Sequence, residues 1–252
     1  MDPVIARITR GRPYRHVIGF EANERARADK DRLFDSALRT GWYPLRDWGW
    51  TRVDCHDFVV DTFGEPIPKS CCGFCVFAMS TANGRAATVQ RYRQEPELGV
   101  EALVLEHLAR SINPSQTLIE GSSAADLVAT AGLTEVQQRF ELQLATCDWS
   151  LYEVYEVRRL VRPGRSGGKG ITARSLRVTS TGSRDQMTRE LASRPGRRVQ
   201  GADGIVRHIL RDRATDPSNV DHLYVAAPAG GLDKQRPGFE QWWQEVTGDA
   251  LF

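Results

Sequence analysis

The sequence predicts an α/β protein, and three patterns carry that prediction. HVIGFEA (16–22) is a short apolar run that closes on a glycine and an acidic residue, which is typical of a buried parallel strand. The charged segment that follows, up to Gly41, has the composition of a surface helix. Further along, SLYEVYEVRRLV (150–161) and ITARSLRVTSTG (171–182) alternate like the two strands of a long-looped hairpin.

The remaining elements follow from local signals. WYPLRDWGW (42–50) is predicted to be extended, because Pro44 disfavours helix in the residue before it. Thr51 is a candidate N-cap for a helix whose apolar residues recur with nearly helical spacing. Periodicity predicts further helices over 97–110, 134–146 and 183–193, and the last fifty residues are predicted to mix helix and loop.

These elements divide the chain into three expected regions. Residues 1–95 form an α/β region that contains a cysteine cluster. Residues 96–150 are helical, and residues 151–252 form a basic α+β appendage around the hairpin.

The composition is that of a globular chain of 252 residues, 40% hydrophobic and 26% charged, which excludes a fibrous or wholly disordered protein. No apolar run approaches the ~18 residues of a membrane span. The N-terminal segment MDPVIARITRGR lacks the apolar core of a signal peptide. We therefore expect a cytoplasmic protein with no membrane partner.

Positive charge is concentrated in one block. The chain holds 34 Lys and Arg against 32 Asp and Glu, but residues 158–213 hold 15 against 4. Such a block favours tRNA or DNA as a partner, although it is also compatible with a solvated arginine-rich surface. The candidate phosphate-binding residues lie on the hairpin strands, where alternation can align guanidinium groups: Arg158, Arg159, Arg174 and Arg177.

Three of the five cysteines, Cys71, Cys72 and Cys75, crowd into one turn. The Cys72-x-x-Cys75 spacing allows two thiolates to face one metal. Cys55, sixteen residues before Cys71, is a further candidate ligand on the preceding helix. Three interpretations stay open: an iron–sulfur cluster, a zinc site completed by His56, or buried structural thiols.

Four segments taken together resemble a known family. IGFEANERAR (18–27), YPLRDWGW (43–50), DCHDFV (54–59) and PKSCCGFC (68–75) occur in an order similar to the C-terminal half of phosphoadenosine phosphosulfate reductase-like proteins. These belong to the adenine nucleotide α-hydrolase group, which has a Rossmann-like fold and a PP-loop, and the likeness is closest to its phage and actinobacterial branch. Residues 133–161 resemble a helix and strand of that branch more loosely.

The resemblance implies an enzyme subunit that transfers sulfur or reduces a substrate through an adenylated intermediate. It also implies a 4Fe–4S cluster on Cys55, Cys72, Cys75 and a fourth ligand, which is either Cys71 or a residue of a partner chain. The residues that would lie beside ATP or the adenylated substrate are Gly19, Glu21, Asn23, Glu24, Asp47 and Trp48.

One motif of the family is missing. The strand and S-G-G-x-D/S-S loop that hold the pyrophosphate have no place in the roughly fifteen residues before the first strand. Ser166-Gly167-Gly168-Lys169 spells the start of such a loop but lacks the strand–loop–helix context. We therefore expect a heteromer whose partner chain supplies the PP-loop. The alternative is a non-catalytic, metal-stabilised module that binds nucleic acid or protein.

Overall fold

The computed structural model describes residues 3–67, 71–159 and 171–249, with the backbone alone at 158, 159 and 171. Contacts between residues divide the chain into a first unit, residues 1–70, and a second unit, residues 71–252. The expected boundaries at 95/96 and 150/151 both lie inside the second unit. Among the helices of the described residues, none is long and apolar enough to cross a membrane.

The first unit contains a parallel β-α-β arrangement. Its elements are α1 (Pro3–Thr9), β1 (Tyr14–Val17), α2 (Arg25–Arg32), β2 (Arg39–Trp42), α3 (Pro44–Asp47) and α4 (Arg52–Phe63). Strands β1 and β2 pair in parallel, from Tyr14 opposite Arg39 to Val17 opposite Trp42. Parallel strands need a crossover connection, and α2 lies within it. The predicted α/β character is confirmed.

The expectation of an extended 42–50 segment is wrong after Tyr43. Pro44 is the first residue of α3, where its fixed φ suits a helix and its missing N–H costs nothing. The restriction that proline imposes falls on Tyr43, which is the non-helical N-cap. The predicted cap at Thr51 is confirmed, since Thr51 and Asp54 form a reciprocal capping box on α4.

The second unit contains a six-stranded sheet with helices around it. Its elements are α5 (Val76–Met79), α6 (Ala82–Gln94), α7 (Pro96–Ile112), α8 (Ala124–Thr130), α9 (Thr134–Thr146), β3 (Trp149–Arg159), β4 (Ile171–Gly182), α10 (Arg184–Ser193), β5 (Arg197–Gln200), β6 (Val206–Arg211), β7 (Val220–Pro228), β8 (Lys234–Gln235) and α11 (Phe239–Thr247). The strand order is β5-β6-β7-β3-β4-β8, and every neighbouring pair is antiparallel. The predicted hairpin and the predicted helices over 97–110, 134–146 and 183–193 are confirmed.

The hairpin is central to the sheet rather than appended to it. Strand β3 pairs with β4 on one side and with β7 on the other, from Trp149 opposite Pro228 to Val157 opposite Val220. The last fifty residues supply β6, β7 and β8, which the sequence analysis did not predict. Strand β7 hydrogen-bonds to β3 and β6, so the hairpin belongs to the core of the unit.

Helices cover both faces of this sheet. Leu108 and Ile112 of α7 pack against the cluster of Tyr152, Val154 and Val225. Met187 and Leu191 of α10 pack against Trp149 and Leu151, and Phe239 and Trp243 of α11 pack against Tyr155 and Val157. Because successive side chains of a strand point to opposite faces, α10 and α11 lie on the face opposite to α7.

Candidate functional site

The nucleotide-binding residues expected in the first unit lie in two loops at one edge of its sheet. Loop 18–24 follows β1 and loop 43–50 follows β2, so both leave the carboxyl ends of parallel strands. The Ala22 N–H donates to the Trp50 carbonyl at 2.7 Å, and the Arg46 guanidinium donates to the Ala22 carbonyl at 3.1 Å. Ligands of α/β proteins bind outside this edge. We call these two segments the carboxyl-edge loops.

The carboxylates of these loops accept hydrogen bonds from other groups of the same chain. The Glu21 carboxylate accepts the Asn23 N–H at 2.9 Å, and the Glu24 carboxylate accepts the Glu21 N–H at 3.2 Å. The hydrogen bond from Arg27 holds the pKa of Glu24 below its usual value. The Asp47 carboxylate accepts the Trp42 indole N–H at 2.9 Å. These side chains therefore shape the loops.

Trp48 and Gly19, two further candidate nucleotide-binding residues, differ in how they could contact a ligand. Trp48 is 60% exposed, and its ring packs edge-on against Trp50 with centroids 5.6 Å apart. One face of the indole is thus available for stacking on a base. Gly19 does not need to be glycine, since an added Cβ would meet only the Leu45 side chain at an ordinary 3.7 Å.

A half-buried ion-pair cluster of Asp31 and Arg39, joined by Tyr43, was missed from the sequence. The Arg39 guanidinium donates to Asp31 at 2.7 and 2.9 Å, and the Tyr43 hydroxyl donates to the same carboxylate at 2.8 Å. Arg39, and then Tyr43, hold the pKa of Asp31 below its usual value. The cluster fastens α2 to the strand that leads into the second loop. No local sequence pattern predicts this cluster, because Arg39 and Tyr43 lie eight and twelve residues after Asp31 in the chain.

The cysteine turn, residues 71–75, is held from α6. The Arg91 guanidinium donates to the Cys71 carbonyl at 2.5 Å and approaches the Cys71 Sγ at 3.6 Å. The buried Tyr92 hydroxyl donates to the Gly73 carbonyl at 2.5 Å. Burial, followed by the charge of Glu106, raises the pKa of Tyr92, so this hydroxyl stays a donor. The turn is therefore fixed through its backbone, and Arg91 also reaches the Cys71 thiol.

The turn does not form a metal site by itself. Cys72 is exposed, Cys71 and Cys75 are half-buried, and none of the cysteines is in a disulfide. In residues 3–67, 71–159 and 171–249, no three His, Cys, Asp or Glu side chains converge to hold a metal ion. Cys55 lies on α4 of the first unit, where the neighbouring His56 is exposed and faces Asp57 at 3.4 Å. The donor chemistry of these thiols suits iron–sulfur or zinc.

A match to a known protein would decide whether the motif resemblance marks family membership. No family model, no curated protein and no solved structure matches this chain. The resemblance therefore rests on the motifs alone. The activity and the cofactors that it implies are proposals.

The arginine block is largely neutralised where it is described. Ion pairs join its arginines to carboxylates inside and outside the block, as follows: Arg174–Glu156, Arg213–Glu156, Arg213–Asp221, Arg207–Asp203, Arg197–Asp212, Arg211–Asp216, Arg211–Asp249 and Arg194–Glu190. Arg177 lies opposite Glu153 in the β3–β4 register. The side chains of Arg158 and Arg159, and the whole Ser166–Lys169 segment, lie outside the described residues. Pairing of this extent reduces the field available to a polyanion.

A buried carboxylate hub on the α10–α11 face of the second unit was also missed. The Glu153 carboxylate accepts hydrogen bonds from the Tyr155 hydroxyl at 2.7 Å, the Tyr224 hydroxyl at 2.5 Å and the His222 Nε2 at 3.0 Å. Burial alone would raise the pKa of Glu153, but these hydrogen bonds lower it to about 2. The one sequence signal for this hub is Glu153 itself, a charged residue between an aromatic and an apolar neighbour on β3. The side chains of Tyr155, His222 and Tyr224, which all lie on strands of the sheet, supply the hydrogen-bond donors. The hub therefore stabilises the sheet.

Proposed function

We propose that this chain is a component of a phosphoadenosine phosphosulfate reductase-like system of the PP-loop group. It handles ATP or an adenylated substrate at the carboxyl-edge loops and transfers sulfur or electrons with the help of its cysteines. The observation that carries the proposal is that all six expected nucleotide residues lie in two loops joined at one edge of a parallel β-α-β unit. Trp48 would stack on the base, and Arg46 would keep the two loops together.

The surface of the first unit supports a partner chain. Its sheet has two strands, which is too few to be stable alone, and parallel sheets are normally covered on both faces. Val17 and Trp42, which share one face of this sheet, are both exposed. We propose that the partner covers this face with further parallel strands and brings the phosphate-holding loop to the carboxyl edge.

The same proposal assigns Cys55, Cys71, Cys72 and Cys75 to a 4Fe–4S cluster, with zinc as the alternative metal. A bound cluster would supply redox equivalents or sulfur. Because the cysteine turn does not converge on a metal position, this assignment requires the turn to rearrange when the partner or the metal binds. The backbone bonds from Arg91 and Tyr92 would then act as the fixed base of the turn.

Fluorescence tests the nucleotide part of the proposal. Titration of the full chain with AMP should quench tryptophan emission, since the exposed Trp48 ring is the surface on which adenine would stack. The quenching should disappear in Trp48→Phe and persist in the matched variant Trp242→Phe. No quenching by AMP, or quenching that survives Trp48→Phe unchanged, would overturn the assignment.

Anaerobic purification tests the cysteine part. The protein should be brown and contain stoichiometric iron, and Cys72→Ser and Cys75→Ser should each lose the metal. Cys147→Ser should retain it, because Cys147 follows α9 far along the chain from the cysteine turn. A colourless protein without iron would rule out the cluster, and stoichiometric zinc in its place would establish the alternative.

A further inference from the structure

A cavity of about 610 Å³ lies in the second unit at the end of the sheet where β3 begins. Helices α7, α9 and α10 and the loop at 203–206 surround it. Much of its wall is apolar, contributed by Phe140, Leu144, Trp149 and Leu191. Its size falls in the range of pockets that bind small organic molecules. None of its lining residues belongs to the carboxyl-edge loops or to the cysteine turn.

The polar part of the wall carries cations without carboxylate partners. Arg110 on α7, Arg184 on α10 and Arg198 on β5 line the cavity. None of the three forms an ion pair with a described residue, whereas most of the other arginines of the 158–213 block whose side chains are described do. The Nε of Arg110 is buried and has no hydrogen-bond partner among the described side chains and backbone. A buried donor left without an acceptor is costly, so an acceptor brought by a ligand would be favoured.

The carboxylates that line the cavity do not cancel this charge. The buried Glu106 accepts backbone N–H groups of Leu118 at 2.8 Å and Ala124 at 2.9 Å, so it is committed to holding the start of α8. Asp203 is paired with Arg207 at 2.8 Å. Glu141 lines the mouth and is exposed. Among the lining residues, the guanidinium groups of Arg110, Arg184 and Arg198 therefore outnumber the carboxylate of Glu141.

Aromatic side chains stand beside these cations. The Arg184 guanidinium lies 5.0 Å from the centre of the Trp149 ring. The His107 ring packs edge-on against Phe140 and Trp149, with centroids about 6 Å apart. Burial, followed by the charge of Arg184, lowers the pKa of His107 to about 4, so this ring is neutral at pH 7. It extends the apolar wall rather than adding charge.

We propose that this cavity binds a small organic anion, whose flat apolar body packs among Phe140, Leu144 and Trp149 and whose acid group is held by Arg110 and Arg184. A carboxylate and a phosphate share the chemistry that guanidinium groups recognise. The site goes beyond the proposed function, because it lies wholly in the second unit and uses no cysteine.

Calorimetry with matched probes tests this site. Naphthalene-2-carboxylate and 2-naphthyl phosphate should bind the full chain, and the tighter of the two identifies the acid group. The neutral naphthalene-2-carboxamide should bind about 10- to 100-fold more weakly, since it cannot accept charge-assisted hydrogen bonds as a carboxylate does. Equal binding of acid and amide, or no binding of either acid, would overturn the proposal.

Variants locate the binding. Arg184→Gln and Arg110→Gln should each weaken binding of the anion by about tenfold or more. Arg189→Gln, an exposed position on the same helix as Arg184 that does not line the cavity, should leave the affinity unchanged. Because Arg184 is exposed, its variant should fold even if Arg110→Gln does not. Equal affinities of Arg184→Gln and Arg189→Gln would contradict the site.

Discussion

The two units of this chain differ in how much of their apolar surface they bury. Among the described residues of the second unit, three clusters of buried side chains fill the two faces of the sheet, and a fourth fills the space between helices α6, α7, α8 and α9. Among the described residues of the first unit, the buried apolar side chains are Ala28 and Tyr43, while Val53, Phe58 and Phe63 of α4 are all more than half exposed. The second unit is thus built to fold on its own core. The first unit leaves apolar side chains exposed, and the partner chain that we propose would cover them.

Truncation of one apolar side chain in each unit should give the largest contrast. Leu151→Ala, at a fully buried position of β3, should cost about 2–5 kcal/mol of unfolding free energy, through lost burial and the cavity left behind. Val53→Ala, at a position 65% exposed on α4, should change it by no more than about 0.5 kcal/mol. Urea unfolding followed by circular dichroism measures both. A comparable cost for the two variants would show that the first unit has a core of its own.

Acidification should weaken the second unit through Glu153. The pKa of this carboxyl falls from an ordinary value of 4.5 to about 2 in the folded protein, so the folded state favours its ionised form. Its stabilisation is complete above about pH 4.5 and is lost as the pH falls toward 2, by a total of about 3 kcal/mol. The loss of stability between pH 5 and pH 3 should be smaller in Glu153→Gln than in the unchanged protein. Parallel pH profiles of the two proteins would refute the role of the hub.

Loss of the hydrogen bond between Tyr43 and Asp31 in the first unit should cost less stability than truncation of Leu151 or loss of the Glu153 charge. Tyr43→Phe removes the hydroxyl that donates to Asp31 at 2.8 Å and should cost about 1 kcal/mol. Amide hydrogen exchange should show faster opening of α2, with the rates of β3 and β7 unchanged. Faster exchange across the sheet of the second unit would mean that the two units unfold together, contrary to the comparison.

The sequence predicted the elements whose signals are local. The helix over 134–146, the N-cap at Thr51 and the β3–β4 hairpin all depend on residues close together in the chain. Strand β7 was missed because its apolar run VDHLYVAAP lacks alternation, as expected of a strand buried on both faces. The partners of Glu153 on that strand are 69 and 71 residues away, and the cavity draws its wall from many elements. Contacts at such separations have no signature in a single sequence.

Nuclear magnetic resonance of the ¹⁵N-labelled chain during titration with AMP tests the central claim most directly. AMP is also a flat organic anion, so the positions of the perturbed amides distinguish the carboxyl-edge loops from the cavity of the second unit. The account predicts shifts at residues 19–24 and 47–49, which Trp48→Phe weakens and Arg184→Gln does not. Shifts confined to the residues around Arg110 and Trp149, or no shifts at all, would contradict a nucleotide site in the first unit.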